Sequence, residues 1–170
     1  MASANDKVVL ALIGAGGRGT QVILGMQKCL PGIEVKYVCE VDRERGGRTI
    51  DELGKQQGYK PQRVEDMRRT FEDKDVDAVV VCTPEHWHAL ATVWACQAGK
   101  DVYVEKNISL NISEGRKMIN AAKRYNRIVQ CGFQNRSLTI TRLIGHCVGI
   151  SVCWNTASWE PKYCSTSYQH

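Results

Sequence analysis

At 170 residues, with 43% hydrophobic and 24% charged side chains, the chain has the size and balance of about one soluble globular domain. Its net charge of +5 comes from 23 basic and 18 acidic residues that are interspersed, without a long basic block. That pattern argues against a nucleic-acid partner, and no apolar run is long enough to span a membrane.

The elements alternate along the chain. Residues 7–13 form a short run rich in Val, Leu and Ile, which predicts a buried strand. Residues 20–30 place Val22, Ile23, Met26 and Leu30 at helical spacing, and 33–41 are strand-like again. Arg43–Gln57 is polar, with Ile50 and Leu53 spaced for a helix. Arg63 and Val64 suggest a short third strand, followed by a charged helix over 65–73. The strongest strand signal is 76–82, VDAVVVC. A helix over 84–98 and a strand over 102–105 come next. A helix over 113–125 carries Met118, Ile119, Ala122 and Tyr125 on one face, and Asn111 with Glu114 predicts a capping box before it. A sixth strand over 128–132 closes the series. This alternation predicts an α/β fold, a doubly wound parallel sheet of Rossmann type.

Eight cysteines, at 29, 39, 82, 96, 131, 147, 153 and 164, contain no C-x-x-C pair. Cys39 and Cys82 fall inside apolar runs, where a free thiol behaves as a small hydrophobe. Reduced thiols in a reducing compartment are expected. The N-terminal apolar run resembles a signal peptide, but it leads straight into a glycine turn with a better explanation, so a cytoplasmic protein is expected.

That turn is Gly14-Ala15-Gly16-Gly17-Arg18-Gly19. A G-x-G-x-x-G alone is weak evidence in a chain with 15 glycines. Here a strand precedes it, a helix follows it, and Glu40 ends the next strand. Gly14 then permits the tight turn, Gly16 the approach of a pyrophosphate, and Gly19 close packing of helix on sheet. The helix N-terminus supplies N–H groups and a favourable dipole for the phosphates. Glu40 is placed for a ribose hydroxyl, with Asp42 as its rival two residues on. A carboxylate there repels a 2′-phosphate and favours NAD. Arg43, Arg45 and Arg48 lie close enough to favour NADP instead.

The segment VCTPEHWHAL at 81–90 offers two histidines and a carboxylate after a strand. Thr83 is the expected N-cap, Pro84 the first helical residue, and Glu85 a first-turn acid. His86 and His88 would then point about 200° apart around the helix, which argues against a shared metal ion. Each is left as either a structural or a ligand-facing residue. The location favours a ligand, because such sheets bind ligands beyond the carboxyl ends of their strands.

Four segments in order carry a more specific resemblance: GAGGRG at 14–19, TPEHWHA at 83–89, AGKDVYVEK at 98–106 and QCGFQNRS at 130–137. Residues 7–137 resemble the nucleotide-binding domain of the Gfo/Idh/MocA family, the glucose–fructose oxidoreductase and inositol dehydrogenase group. That family typically writes T-P-x-x-x-H and then A-G-K-x-V-x-x-E-K-P. The resemblance implies an NAD(P)-dependent oxidoreductase acting on sugars, cyclitols or related polyols. It implies a cofactor site at Gly14, Gly16, Gly17, Arg18, Gly19 and Glu40, with Thr83, Pro84, Glu85, His86, His88 and Glu105 around it. Lys106 takes the place of the lysine that binds and polarises the reacting hydroxyl. Gln134 and Arg136 either contact substrate or cofactor or are ordinary loop residues.

Two departures from the family are visible. The proline of E-K-P is Asn107, which is expected to leave Lys106 less firmly oriented. The resemblance also stops near Ser137, so 1–137 is expected to be the Rossmann domain and the family's C-terminal α+β domain and oligomer interface to be absent. The last 33 residues, 138–170, hold three charged side chains, Arg142, Glu160 and Lys162, and three of the eight cysteines. They are expected to be a frameshifted or non-coding stretch. A zinc tail using His146, Cys147, Cys153 and Cys164 matches no common module. A chain of this kind is expected to bind dinucleotide without measurable turnover. An NAD-dependent glycosidase and a non-catalytic dinucleotide-binding module are the competing functions.

Overall fold

The structure is a computed structural model, and it describes residues 7–30 and 32–133. Gln134, Arg136 and the whole of 138–170 lie outside the described residues.

Six strands form one sheet: β1 Val8–Ile13, β2 Ile33–Cys39, β3 Gln62–Val64, β4 Ala78–Val81, β5 Asp101–Glu105 and β6 Val129–Gly132. All five pairings are parallel, and the strand order is β3-β2-β1-β4-β5-β6. The chain begins in the middle, builds outward to one edge, then returns to build the other. This leaves a switch point between β1 and β4, the position at which doubly wound sheets hold ligands. Between the strands lie α1 Gly17–Cys29, α2 Arg43–Gln57, α3 Arg68–Glu72, α4 His88–Gln97 and α5 Ile112–Arg124.

Strand alternation divides the core. Ala11, Ile13, Val79, Val81, Val102 and Val104 face Phe71, Ala91, Ala95, Met118 and Ala121. Leu10, Leu12 and Val80 face Ile23, Ile50 and Leu53 on the other side. Both faces of the sheet are therefore covered, which is why these strands are continuously apolar. The β1–β2 register shifts between Leu10, opposite Val35, and Ala11, opposite Tyr37. Lys36 is the extra residue, and Val35 and Val38 reach the same cluster although three apart.

Most boundaries match the sequence expectation to within two or three residues, and α2 matches at both ends. Asp42 caps it by accepting from the N–H groups of Glu44 and Arg45. Gly58 ends it with φ +83°, a left-handed conformation. The helix expected over 84–98 differs. Pro84 is extended at ψ 148°, Glu85–Trp87 form a single 3-10 turn, and α4 begins at His88. On α5 the buried positions are Met118 and Ala121 rather than Ile119; Asn111 caps the helix as expected, accepting from the Glu114 N–H at 2.9 Å, but the Glu114 carboxylate accepts from the Leu110 N–H rather than from that of Asn111. Among the described residues, no helix is long and apolar enough to cross a membrane.

Candidate functional site

The loops that leave β1, β4 and β5 come together at the carboxyl edge of the sheet. The glycine turn is packed on one side and open on the other. Gly14 has φ +90°, and a Cβ there would sit 2.8 Å from the Cys82 carbonyl carbon. A Cβ on Gly19 would collide with the Gly14 carbonyl oxygen. By contrast, apart from the adjoining residues and the helix's own backbone, nothing lies within 4 Å of where a Cβ on Gly16 or Gly17 would stand. Gly14 and Gly19 thus set the turn against β4 and α1, while Gly16 and Gly17 leave the N-terminus of α1 approachable. This is the cradle a pyrophosphate requires.

Glu40, at the end of β2, reaches across this turn. Its Oε2 accepts from the Ala15 N–H at 2.8 Å, and Oε1 accepts from the Asp42 N–H at 3.1 Å. Of the two acids, Glu40 is the one that reaches the glycine turn, whereas Asp42 caps α2. Arg63 supports Glu40 from behind, donating to the carbonyl oxygens of Glu40 and Val41. Of the three nearby arginines, Arg45 pairs with Asp42 and Arg48 with Glu44, both at 3.6 Å and both exposed.

The second loop departs from expectation at Thr83. Its hydroxyl caps no helix: it is buried and has no hydrogen-bond partner. With Pro84 extended, the chain tightens into the 3-10 turn, in which the Trp87 N–H donates to the Pro84 carbonyl oxygen. The two histidines do part company. His86 is exposed, its ring 6.0 Å from that of Trp87, whereas His88 is 1% exposed. The His88 Nδ1 lies 2.6 Å from the Asn107 carbonyl oxygen and its Nε2 2.8 Å from that of Thr83. Carbonyl oxygens only accept and a neutral imidazole carries one N–H, so the neutral ring donates to one of these two oxygens, the tautomer deciding which. His88 thus sits buried between the carbonyl oxygens of two loops.

Asn107 is not loose. Besides its carbonyl contact with His88, its side-chain amide donates to Glu85 Oε1 at 2.8 Å. The Lys106–Asn107 peptide is cis. Lys106 itself is exposed at the end of β5, beside these anchors. The preceding residue, Glu105, is 4% exposed and is gripped by Arg18 of the glycine turn, whose Nε and second guanidinium nitrogen lie 2.9 and 2.8 Å from Oε1. This hydrogen bond raises Arg18 above its ordinary value. Tyr103 donates to the same oxygen at 3.2 Å, and burial, followed by the Glu105 charge, pushes its hydroxyl up to about 12. Gly132 leaves the room for this group, since a Cβ there would run into the Tyr103 hydroxyl.

A cleft of about 610 Å³ opens beside Glu40, between the ends of β2 and β4. Its lining includes Gly14, Glu40, Val41, Met67, Thr83, Pro84, Trp87 and Trp94. Thr83, whose hydroxyl is buried and unpaired, is one of the lining residues. Val41, Met67 and Trp87 were not foreseen as site residues. Val41 carried the one available signal, an aliphatic side chain directly after the ribose-position acid, and it is 78% exposed. Together these features fit a dinucleotide: an open helix N-terminus, a carboxylate beside it, and an apolar cleft beyond it.

The comparisons agree with this geometry. The family profile described as an oxidoreductase family with NAD-binding Rossmann fold matches residues 8–133. A glycosyl hydrolase family 109 protein of Shewanella baltica is 31% identical over 124 residues, covering 70% of this chain and 27% of the relative. Myo-inositol 2-dehydrogenase of Lactobacillus plantarum superposes with a TM-score of 0.74 at 23% identity, over 85% of this chain and 41% of that one. The WlbA dehydrogenase of Bordetella pertussis, in complex with NADH and UDP-GlcNAcA, gives 0.72 at 18% identity, over 88% and 41%. The chain thus spans about a quarter of that curated relative and about two fifths of those solved structures. With its glycine turn, strand order and matched profile, the chain belongs to the Gfo/Idh/MocA oxidoreductase family, within that family's NAD-binding Rossmann domain.

Proposed function

We propose that this chain is the NAD-binding part of an oxidoreductase that moves hydride between the nicotinamide and a carbon of a sugar, cyclitol or related polyol. One observation carries the reading: the Glu40 carboxylate is held against the glycine turn, beside an open helix N-terminus. The N–H groups at the start of α1 bind the pyrophosphate, and Glu40 accepts from the ribose hydroxyls. The cleft lined by Val41, Met67 and Trp87 takes the adenine. NAD, when bound, supplies the hydride acceptor. Lys106 places a positive charge beside the reacting hydroxyl, where it favours a developing alkoxide. Glu40 also disfavours a 2′-phosphate, and the pairing of Arg45 and Arg48 with their own helix's acids supports NAD over NADP. Buried and half-buried thiols support a reducing, cytoplasmic setting: burial pushes Cys39 and the half-buried Cys82 up to about 12 and Cys96 to about 11, and all are unpaired.

The similarity to a glycosyl hydrolase family 109 protein supports a second reading, an NAD-dependent glycosidase. An assay with NAD separates the two, using myo-inositol, glucose and related polyols in one arm and nitrophenyl glycosides in the other. NADH formation from a polyol that disappears in Lys106→Ala, while NADH still binds, supports the first reading. Polyol oxidation indifferent to Lys106→Ala contradicts it, and NAD-dependent nitrophenol release without polyol oxidation supports the second.

A further inference from the structure

Glu85 and Asn107 lie 22 residues apart, on different loops, and meet in a single hydrogen bond of 2.8 Å between Asn107 Nδ2 and Glu85 Oε1. The family pattern has proline where this chain has Asn107. Proline has no side-chain donor, and it holds the backbone by its fixed φ. Asn107 lacks that ring but gains one side-chain anchor, Glu85, while its carbonyl oxygen, which a proline would also present, lies against the His88 ring. Glu85 lies in the loop after β4 and His88 begins α4, its other ring nitrogen 2.8 Å from the Thr83 carbonyl oxygen. Lys106 stands directly between Asn107 and the buried Glu105, so the residues on either side of it are fixed.

We infer that Glu85 and Asn107 form a positioning pair, a polar replacement for the proline's backbone restraint that aims Lys106 toward the dinucleotide. This rests on the function proposed above, because it requires that Lys106 faces the bound cofactor. An ionised acceptor makes this a strong type of hydrogen bond. Solvent around it limits the effect to a few-fold rather than orders of magnitude. In this role Glu85 acts on Lys106 through Asn107.

The experiment measures acetylation of Lys106 by an N-hydroxysuccinimide ester, read by peptide mass spectrometry, with and without saturating NADH. Lys55, on the far end of α2, is the internal control. NADH binding is measured separately by its fluorescence. In the native chain NADH protects Lys106 and not Lys55. In Glu85→Ala and in Asn107→Ala the protection falls by at least about threefold, and the double variant falls no further. Glu85→Gln, which keeps an oxygen acceptor, retains the protection, as does Asn107→Pro, which restores the ring. Far-ultraviolet circular dichroism and thermal midpoints establish that each variant is folded. Protection that persists in Glu85→Ala, or that is lost equally in Glu85→Gln and Asn107→Pro, overturns the pair's role while leaving the dinucleotide reading intact. Failure of NADH to bind the native chain overturns the dinucleotide reading, and the pair's role with it.

Discussion

Gly16 and Gly19 are three residues apart in one turn, yet the structure gives them opposite tasks. Gly19 is packed against the Gly14 carbonyl, and Gly16 faces open space with an ordinary φ of −67°. Gly19→Ala is therefore expected to destabilise the fold by roughly 1–3 kcal/mol, the usual range for an overpacked site. Gly16→Ala should leave the thermal midpoint nearly unchanged and weaken NADH binding by about tenfold or more, through a methyl placed where phosphate approaches. Thermal melts and NADH titrations of both variants test this pair of outcomes. Loss of stability in Gly16→Ala, or unchanged NADH binding, would contradict the division. The glycine turn and Glu40 were legible because their spacing is itself the signal. The pairing of Arg18 with Glu105 was not, since the two are 87 positions apart and meet only through the strand order. The Asn107 contact with Glu85 was hidden for the same reason: loss of proline is visible in the sequence, but a partner 22 positions away is not.

Among the elements, α2 was legible at both ends because its stop signals are local, an aspartate cap and a left-handed glycine. The loop after β4 was not, because a contact distant in sequence, His88 against the Asn107 carbonyl oxygen, goes with a 3-10 turn where a helix start was expected. Away from the site, β2 is tied to the segment before β4 by Asp73. Its carboxylate accepts from Lys36 at 2.7 Å, the Asp75 N–H at 2.9 Å and the Tyr37 hydroxyl at 2.8 Å. The Lys36 bond first, then the Asp75 N–H and Tyr37, hold this acid down to about 2. A carboxyl whose folded value lies below its unfolded value of about 3.9 contributes stability above that value. The contribution is fully present at neutral pH and is lost as pH falls from about 4 toward 2. Asp73→Asn should lower stability at pH 7 and flatten the acid limb of a urea-denaturation series over that window. An acid limb identical to that of the native chain would contradict the assignment. Lys100 joins this region as a 5% exposed amine that donates to the carbonyl oxygens of Asp73 and Val76, and burial lowers it below the ordinary lysine value.

At the scale of the whole molecule, strand order is what makes a site. Starting in the middle of the sheet brings the ends of β1, β4 and β5 together, so motifs at 14–19, 83–88 and 105–107 share one edge. The alternation of apolar runs made the parallel sheet legible. The bulge at Lys36 was not legible, because an extra residue inside an apolar strand leaves no mark on composition. The central claim is that this edge binds NAD through Glu40 and the start of α1. Fluorescence titration of the 170-residue chain with NADH and with NADPH, repeated on Glu40→Gln, tests it most directly. The account predicts saturable NADH binding, weaker NADPH binding by about tenfold or more, and a narrowing of that gap in Glu40→Gln as the negative charge is removed. Equal affinity for the two cofactors in the native chain, or a gap unchanged by Glu40→Gln, would contradict the role of Glu40, and no binding of either would contradict the claim itself.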